Sequence, residues 1–413
     1  MLRPLANWDL IVVGGGIVGA SAAYHAVRSG ARVLVVDRED PGRATSAGAG
    51  IVSPETDLHH TDAYFELGRR AAEYYPTLLD GLPRRAGYQR CGILVVAADE
   101  TEERAFDAFA PRALERQRED QEIAPADAMR EIAPAEARAL FPPLAPVRRA
   151  LWNPRGARID GREITSALLD AAIGRGVQRQ AGSVERILVE PSNGPGDGRR
   201  EREPERRITG VIVDDDRHDA PLVMVAGGAW SPALASPLGL RVPVEPQRGQ
   251  IAHLVLQGAD SGAWPMVSGF HDHYLVAWPG GRVAAGATRE TGSGFDPRST
   301  AAGVREVLGE ALRLAPGLAA ATLLEVRVGL RPLAEDGLPI LGPVPGCRGL
   351  WLATGHGPAG LTLGPLSGKL VAEAALGGEW AAWLDAFSVD RFDREPGRRQ
   401  AAPRHSDPKP SLR

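Results

Sequence analysis

Three glycines near the start of the chain have the spacing of a dinucleotide-binding turn. Gly14, Gly16 and Gly19 form a G-x-G-x-x-G pattern directly after the apolar run at residues 10–13. The run predicts a parallel strand that is buried on both faces, and a helix is predicted over residues 17–29. Gly14 permits the tight turn, Gly16 lets the backbone approach a pyrophosphate, and Gly19 lets the helix pack closely on the strand. The pattern therefore predicts a dinucleotide site where this helix begins.

An acidic residue follows the predicted second strand at 32–36. Asp37 can accept hydrogen bonds from a ribose hydroxyl and would repel a 2′-phosphate, so NADP is disfavoured. The helix N-terminus offers free N–H groups and the positive end of its dipole to the phosphates. NAD and FAD are both compatible with these residues. The small and hydroxyl side chains at 43–50 would let a second segment approach a long cofactor closely.

The overall composition gives no pull toward a polyanion. The 413 residues include 48 basic and 52 acidic side chains, with a formal net charge of −4, so nucleic acid is not an expected partner. Cys91 and Cys347 stand in no CxxC or Cys/His cluster, and we expect reduced, buried thiols. No apolar run reaches the ~20 residues of a membrane-spanning helix, and no signal peptide is visible. We expect a cytoplasmic protein, with peripheral docking at the inner membrane left open.

The rest of the sequence predicts a mixture of helices and strands. Residues 101–149 contain six prolines, among them Pro111, Pro125, Pro134, Pro142 and Pro143, and predict short helices separated by turns. The segment 191–207 has almost nothing to bury and predicts a solvated loop, and the tail after residue 394 is predicted to be disordered. Helices are predicted over 161–172 and 365–376. Strands are predicted over 183–189, 208–213, 222–226, 274–278, 282–287 and 350–354.

Six blocks of sequence carry a family resemblance. They are DLIVVGGGIVGASAAYHA at 9–26, GRATSAGAGIV at 42–52, VAGGAWS at 225–231, HDHYLV at 271–276 with GRVAAGAT at 281–288, VGLRPLAEDGLPILGP at 328–343 and LATGHGPAGLTLGP at 352–365. In this order they resemble the D-amino-acid oxidase superfamily of FAD-dependent proteins, most of all its glycine oxidase and D-amino-acid dehydrogenase branch. The resemblance extends from Asp9 to about Leu384.

The resemblance implies an α/β (α+β) fold with two domains. A Rossmann-like FAD-binding domain would be assembled from residues 1–85, 150–230 and 325–390. A second, mainly antiparallel sheet would bind the substrate and would comprise 86–149 and 231–324. Noncovalent FAD is expected, because the relatives with covalent flavin use a cysteine near the place where this chain has Leu330 and Arg331.

The resemblance also implies which residues contact FAD. Ile17 and Val18 would lie at the pyrophosphate, Asp37 and Arg38 at the adenosine, and the backbone of Val184 at the adenine. A second set would follow the cofactor toward the flavin: Ala44, Thr45, Ser46, Ala49, Gly50, Ile51 and Gly228. The late glycine-rich loop would wrap the isoalloxazine ring with His356, Gly357, Pro358, Ala359, Gly360, Leu361 and Thr362. Backbone N–H groups of such a turn could stabilise negative charge on the reduced flavin.

Three residues are implied to act on the substrate. Arg331, in a GLRP motif, would clamp a carboxylate, because a planar guanidinium pairs with it through two hydrogen bonds. Tyr274 matches a tyrosine that contacts substrate, and His273 is expected near the active site. On the residues alone, Arg331 could equally be an ion-paired arginine and Tyr274 a packed aromatic. His271 and His273 alternate along one predicted strand and would share a face, but the sequence shows no third ligand for a metal.

Two departures from the glycine oxidases concern the substrate. Pro358 stands where those enzymes carry a second arginine, and Ile51 replaces a methionine beside the flavin. Both changes weaken the case for glycine itself, and the carboxylate would be held by Arg331 alone or the substrate would differ.

The expected activity is oxidation of the C–N bond of a small amino acid or amine. The hydride would pass from the α-carbon to flavin N5, and the imine would hydrolyse to an oxo acid. Oxygen, a quinone or another carrier would then accept the electrons, and a homo-oligomer is compatible with the sequence. The alternatives are a nicotinamide-dependent dehydrogenase, the flavin subunit of a larger dehydrogenase complex, and a 2-hydroxy-acid oxidase.

Overall fold

The computed structural model describes residues 7–56, 61–119, 123–191 and 206–393. The predicted loop at 191–207 and the predicted disordered tail lie almost wholly outside these residues. The helices of the described chain are α1 (Ile17–Arg28), α2 (Ala44–Ala47), α3 (Asp62–Asp80), α4 (Glu100–Glu119), α5 (Pro134–Leu140), α6 (Gly161–Ile173), α7 (Ser231–Ala235), α8 (Ala301–Leu314) and α9 (Gly360–Ala375).

The strands of the described chain form four sheets. They are β1 (Leu10–Val13), β2 (Val33–Asp37), β3 (Ile51–Val52), β4 (Gln89–Arg90), β5 (Ile93–Ala97), β6 (Arg130–Ile132), β7 (Arg149–Asn153), β8 (Ala157–Arg158), β9 (Gln178–Ala181), β10 (Val184–Pro191), β11 (Arg206–Val213), β12 (Asp216–Asp219), β13 (Val223–Val225), β14 (Val244–Val255), β15 (Met266–Ser268), β16 (Tyr274–Trp278), β17 (Arg282–Gly286), β18 (Glu290–Thr291), β19 (Thr322–Ala334), β20 (Ile340–Pro343), β21 (Cys347–Arg348) and β22 (Leu350–Thr354).

The first sheet is buried on both faces, as the apolar run at its centre predicts. Its order is β20-β22-β13-β1-β2-β9, and all neighbours are parallel except β20 and β22. Leu10 and Val12 pack into one core with α1, α3, α6 and α9. Ile11 and Val13 point the other way, into a core shared with β10 and β11. Successive side chains of a strand alternate between faces, so a continuous apolar run needs cover on both sides.

Two helices from opposite ends of the sequence pack against each other with almost no side chain between them. A Cβ atom at Gly368 of α9 would overlap the carbonyl oxygen of Val18 and lie 3.0 Å from the Ala22 nitrogen. The Ser21 hydroxyl of α1 donates to the Pro365 carbonyl oxygen at 2.6 Å. Glycine at this crossing therefore lets the backbones of α1 and α9 approach closely.

The second sheet is larger and mainly antiparallel. It has nine strands in the order β18-β14-β17-β16-β15-β5-β7-β6, with β19 paired along β14. The β14–β19 ladder runs from Val244 with Ala334 to Val255 with Thr322. β7 and β19, which span the predicted domain boundaries at 150 and 325, both belong to this sheet. The division into two domains at these residues stays a prediction.

The prediction of short helices over 101–149 is wrong in its first part. Residues 100–119 form one helix, and Pro111 lies inside it. Phe106, Ala110 and Ala113 form part of a buried cluster with β5 and β7. Burial of this apolar face outweighs the single N–H that proline removes. The remainder of the segment does contain a short helix, α5, as predicted.

Two further expectations concern the cysteines and the membrane. Cys91 and Cys347 are free and buried, which confirms the prediction of unpaired thiols. Burial raises the pKa of both thiols. Among the residues that the structure describes, no helix is both long enough and apolar enough to cross a bilayer.

The α1–α9 crossing yields a stability prediction. Gly368→Ala should lower the free energy of unfolding by about 1–3 kcal/mol, because the new methyl group overlaps the backbone of α1. Gly309→Ala is the matched control, since a Cβ at Gly309 in α8 meets nothing within 4 Å. That variant should be neutral or slightly stabilising. Denaturant unfolding of both variants measures the difference, and equal stability would contradict the packing argument.

Candidate active site

An elongated cavity of about 410 Å³ opens between the two large sheets. At one end lie the first glycine turn and the end of β2, with Gly14, Gly16 and Asp37. At the other end lie Tyr274 and Arg331 of the second sheet. The loop from His356 to Leu361 borders the cavity between them, so both glycine-rich turns line one continuous space.

The first turn has the geometry that its glycines predict. Gly14 has φ of 110°, in the region that favours glycine, and a Cβ at Gly19 would overlap the Gly14 carbonyl oxygen. Gly19 therefore acts in packing the helix on the strand and does not line the cavity. Ile17 N–H donates to the Thr45 hydroxyl at 3.3 Å, which ties the small-residue segment to the start of α1.

The Asp37 carboxylate is held by the turn that it faces. Its Oδ2 accepts from the backbone N–H of Gly15, and its Oδ1 accepts from the N–H of Glu39 at 2.6 Å. The residue is 7% exposed and borders the cavity. A carboxylate oxygen has further lone pairs, so Asp37 can still accept from a ribose hydroxyl as the sequence predicts.

The late glycine turn leads directly into α9. Gly357–Ala359 forms a short 3-10 turn, and the N-terminal residues Gly360 and Leu361 of α9 line the cavity. The Tyr75 hydroxyl of α3 donates to the Leu361 carbonyl oxygen and holds this turn from behind. Two helix N-termini, those of α1 and α9, thus reach the same cavity, and each offers free backbone N–H groups to negative charge.

Most of the cofactor residues predicted from the sequence line the cavity. These are Gly14, Gly16, Ile17, Val18, Asp37, Arg38, Ala44, Thr45, Ala49, Gly50, Ile51, Val184, Gly228, His356, Gly357, Pro358, Gly360 and Leu361. Four do not, and they support those that do. Gly19 packs α1, Ser46 accepts from Arg162 through its carbonyl oxygen at 2.8 Å, Ala359 closes the 3-10 turn, and Thr362 donates to the Ile51 carbonyl oxygen at 3.1 Å.

Arg331 lies on β19 and extends across the neighbouring strand. A Cβ at Gly249 of β14 would lie only 2.5 Å from the Arg331 Cζ, so glycine there leaves the space that the guanidinium fills. Arg331 Nη1 donates to the Thr288 carbonyl oxygen at 2.8 Å and approaches the Gln247 Oε1 at 3.5 Å. Burial lowers the pKa of Arg331, and the positive charge of Arg289 acts in the same direction. The guanidinium stays charged, because arginine is not deprotonated in proteins.

Tyr274 lies beside Arg331 at the first residue of β16. Both side chains line the same end of the cavity. The ring covers Gly286 of β17, where a Cβ would lie 2.7 Å from the tyrosine oxygen. Burial raises the pKa of Tyr274, so its hydroxyl stays protonated and can donate to a substrate oxygen.

The structure does not bring His273 to the cavity. His271 and His273 precede β16 instead of lying on it, and Asp272 between them has φ of 63°. Their side chains do point in the same direction, but toward α8 and not toward the cavity. His271 Nδ1 lies 3.3 Å from a Glu310 carboxylate oxygen, and His273 Nε2 lies 3.5 Å from Glu306. The described residues contain no metal-binding group of three or more His, Cys, Asp or Glu side chains.

Some of the cavity residues that were not singled out from the sequence shape the substrate end. Gly249 clears the space for Arg331, and Trp230 packs against Phe295 with the rings tilted by 30° and their centroids 5.3 Å apart. Asp272 and Arg289 line the substrate end and form an ion pair, with Oδ1 and Nη2 3.3 Å apart. One signal was available for Asp272, because residues at i and i+2 of an extended segment share a face and Tyr274 was already expected there.

The fold and the cavity define a class of protein. The parts of a flavin-dependent oxidoreductase are present: a parallel sheet with a glycine turn, a second glycine turn at α9, and a facing antiparallel sheet with an arginine at the cavity. The family model described as "DAO: FAD dependent oxidoreductase" matches residues 9–374, and the chain belongs to that family. FAD is therefore its cofactor, and the chain is an oxidoreductase.

Several known proteins are similar along nearly their whole length. The uncharacterized oxidoreductase YurR of Bacillus subtilis is 38% identical, over 89% of this chain and 94% of its own. The glycine oxidase of Pseudomonas aeruginosa is 31% identical, over 90% and 95%. The crystal structure of iminodiacetate oxidase from Chelativorans sp. BNC1 is 38% identical with a TM-score of 0.81, and the match covers 92% of this chain and 98% of that one.

The residues present fit FAD. The cavity is continuous from Asp37 to Arg331, so a long cofactor can reach from the first turn to the second sheet. His356 has a buried Nε2 with no hydrogen-bond partner in the structure, beside the loop expected at the flavin. The glycine turn at α1 would hold the pyrophosphate, and the start of α9 would lie at the flavin ring.

Burial of His356 yields a pH prediction. Burial lowers the pKa of His356 to about 4, well below the unfolded value near 6.5. Above pH ~6.5 the imidazole is neutral in both the folded and the unfolded protein, and the free energy of unfolding has its full value. As the pH falls toward 4, the unfolded state binds a proton that the folded state does not, and the free energy of unfolding decreases. His356→Asn should lose less stability than the wild type between pH 7 and ~4.5. Thermal unfolding of the two holoproteins across this range measures the difference. Parallel stability curves for the two proteins would contradict the lowered pKa of His356.

Proposed function

We propose that the protein oxidises the C–N bond of a small amino acid whose carboxylate is held by Arg331. The observation that carries this proposal is a partly buried guanidinium at the end of the FAD cavity. In the described part of the chain, its hydrogen bonds go to the neutral oxygens of Thr288 and Gln247. A charge that is partly removed from water and has no paired carboxylate is costly, and a substrate carboxylate would compensate it.

The side chains at this end would act mainly by positioning. Arg331 can bind one carboxylate through two N–H groups, and the Tyr274 hydroxyl can donate to the same group. Thr288 and Gln247 hold the guanidinium before the substrate arrives. A substrate fixed in this way presents its α-carbon to the cofactor, and restricted orientation can supply much of the rate.

The reaction balances with FAD as the electron acceptor. When bound, FAD supplies the capacity to take up two electrons. The amine first loses its ammonium proton to solvent. The α C–H bond then breaks, and its hydrogen and electron pair would leave together as a hydride toward the cofactor while the nitrogen lone pair forms C=N in an iminium cation. Water adds to the imine carbon, the C–N bond breaks, and an oxo acid and an amine are released. Oxygen, a quinone or another carrier would take the electrons onward.

Relatives support this class of substrate. The glycine oxidase and the iminodiacetate oxidase are both named for amino acids that carry a carboxylate. Within this chain, Pro358 and Ile51 border the cavity where the sequence departs from the glycine oxidases. The substrate of this protein would therefore differ from glycine in size or shape where it meets Pro358 and Ile51.

Anaerobic reduction of the bound flavin tests the activity. The purified holoprotein is mixed with glycine, sarcosine, iminodiacetate, D-amino acids, L-proline and 2-hydroxy acids in the absence of oxygen. Loss of the oxidised flavin absorbance with at least one amine, together with an oxo acid product, is the expected result. Reduction by hydroxy acids alone would replace the proposal with a 2-hydroxy-acid oxidase. No reduction by any compound would point to a subunit that needs a partner.

Arg331 yields a separate prediction. Arg331→Ala should raise the KM for a carboxylate substrate roughly 10- to 100-fold, because a charge-assisted pair is lost. Arg331→Lys should recover only part of this loss, since lysine cannot reproduce the bidentate geometry. Arg305→Ala, on the exposed face of α8, is the control. Steady-state kinetics with the best substrate of the panel decide the matter, and an unchanged KM in Arg331→Ala would rule out the clamp.

A further inference from the structure

A second arginine borders the substrate end of the cavity. Arg289 follows β17 and lines the same space as Tyr274 and Arg331. Its Nη2 lies 3.3 Å from the Asp272 Oδ1, and its side chain is 30% exposed. The Arg289 side chain can therefore contact a ligand in the cavity, although it also pairs with Asp272.

The three charged groups at this end influence one another. The positive charge of Arg289 favours lower pKa values for Arg331 and Tyr274, against the effect of burial in the case of Tyr274. The negative charge of Asp272 favours a higher pKa for Arg331, and Asp272 also forms an ion pair with Arg289. The other charged residues that line the cavity belong to residues 37–43, at and after the end of β2, or to β10, and Arg43 pairs there with Asp37: they are Asp37, Arg38, Asp40, Arg43 and Glu185. Two guanidinium groups and one carboxylate therefore leave one uncompensated positive charge where the substrate binds.

The charge of the ligand can be compared with this excess. An amino acid with one carboxylate carries no net charge in neutral water, because its ammonium cancels it. Such a ligand would leave the positive charge in place. An amino acid with two carboxylates and one ammonium carries a net charge of −1 and would neutralise the site. Since uncompensated charge in a partly buried site is unfavourable, the second kind of ligand is favoured.

We propose that Arg289 binds a second carboxylate of the substrate, so that the preferred substrate is an amino acid with two carboxylates. This rests on the proposed function, with Arg331 at the first carboxylate. Where the two carboxylates flank a secondary amine, oxidation of one arm followed by addition of water releases an oxo acid from that arm and an amino acid from the other.

The binding of a second carboxylate can be measured without any reaction. Diglycolate has a carboxylate on each side of an ether oxygen and offers no C–N bond to oxidise. Methoxyacetate has the same ether with a single carboxylate. Each is titrated into the holoprotein, and the change in the visible flavin spectrum gives a Kd. We expect the wild type to bind diglycolate at least 10-fold more tightly than methoxyacetate, because one more charge-assisted pair forms.

Variants assign that preference to Arg289. In Arg289→Gln the ratio of the two Kd values should fall about 10-fold or more, toward unity, whereas Arg289→Lys should keep part of it. Arg305→Gln, which removes an exposed arginine of α8 outside the cavity, should leave the ratio unchanged. FAD content and thermal unfolding show that each variant is folded. A wild type without preference, or a preference that survives in Arg289→Gln, would overturn the assignment.

Turnover separates this inference from the proposed function. Iminodiacetate and sarcosine share one oxidisable N-carboxymethyl arm, and we expect the wild type to have the higher kcat/KM for iminodiacetate. Selectivity for diglycolate with no flavin reduction by amines would support the second carboxylate site and contradict the proposed oxidation. Reduction by amines with equal Kd values for the two ethers would support the oxidation and contradict the role of Arg289.

Discussion

The close crossing of α1 and α9 is the constraint on which the site depends. Each helix begins at a glycine turn, and each turn is useful only if it opens on the same space as the other. The backbones meet at Gly368 and Val18, where no side chain fits, and Ser21 fixes their register by its hydrogen bond to Pro365. A wider separation would move one helix N-terminus away from the cavity. The positive ends of two dipoles are thus brought to one anionic cofactor by packing.

A second close approach places the substrate arginine. The β14–β19 ladder sets Gly249 opposite Gly329, two residues from Arg331. The guanidinium occupies the space that a side chain at Gly249 would fill, and the Thr288 carbonyl oxygen holds it there. Thr288 in turn donates its hydroxyl to Glu290 at 2.8 Å, and Glu290 is paired with Arg248. The clamp is therefore built into a polar network of the sheet, and its conformation is set before a ligand binds.

The sequence was most informative where a local pattern has one structural meaning. The apolar run at 10–13, the glycines after it and Asp37 predict a strand, a turn and an acceptor, and all lie as expected. The family resemblance located Arg331, Tyr274 and the late loop, which no local pattern could join to the first turn.

Prolines misled the prediction for α4, because the burial of Phe106 and Ala110 could not be known in advance. The prediction for His273 was wrong because His273 precedes β16, and the positive φ of Asp272 turns the backbone before that strand begins. Arg289 was missed because its meaning lies in contacts between strands, which single-sequence patterns do not contain.

The separation of the two turns along the chain has a consequence for biosynthesis. β1 starts at Leu10 and α9 ends at Ala375, and the flavin cavity needs both. A ribosome must therefore have delivered both β1 and α9 before FAD finds a closed site, so the cofactor is captured only after α9 has been made. Because a ligand that binds only the native state stabilises it by mass action, the supply of flavin in the cell would set how much of the newly made protein persists.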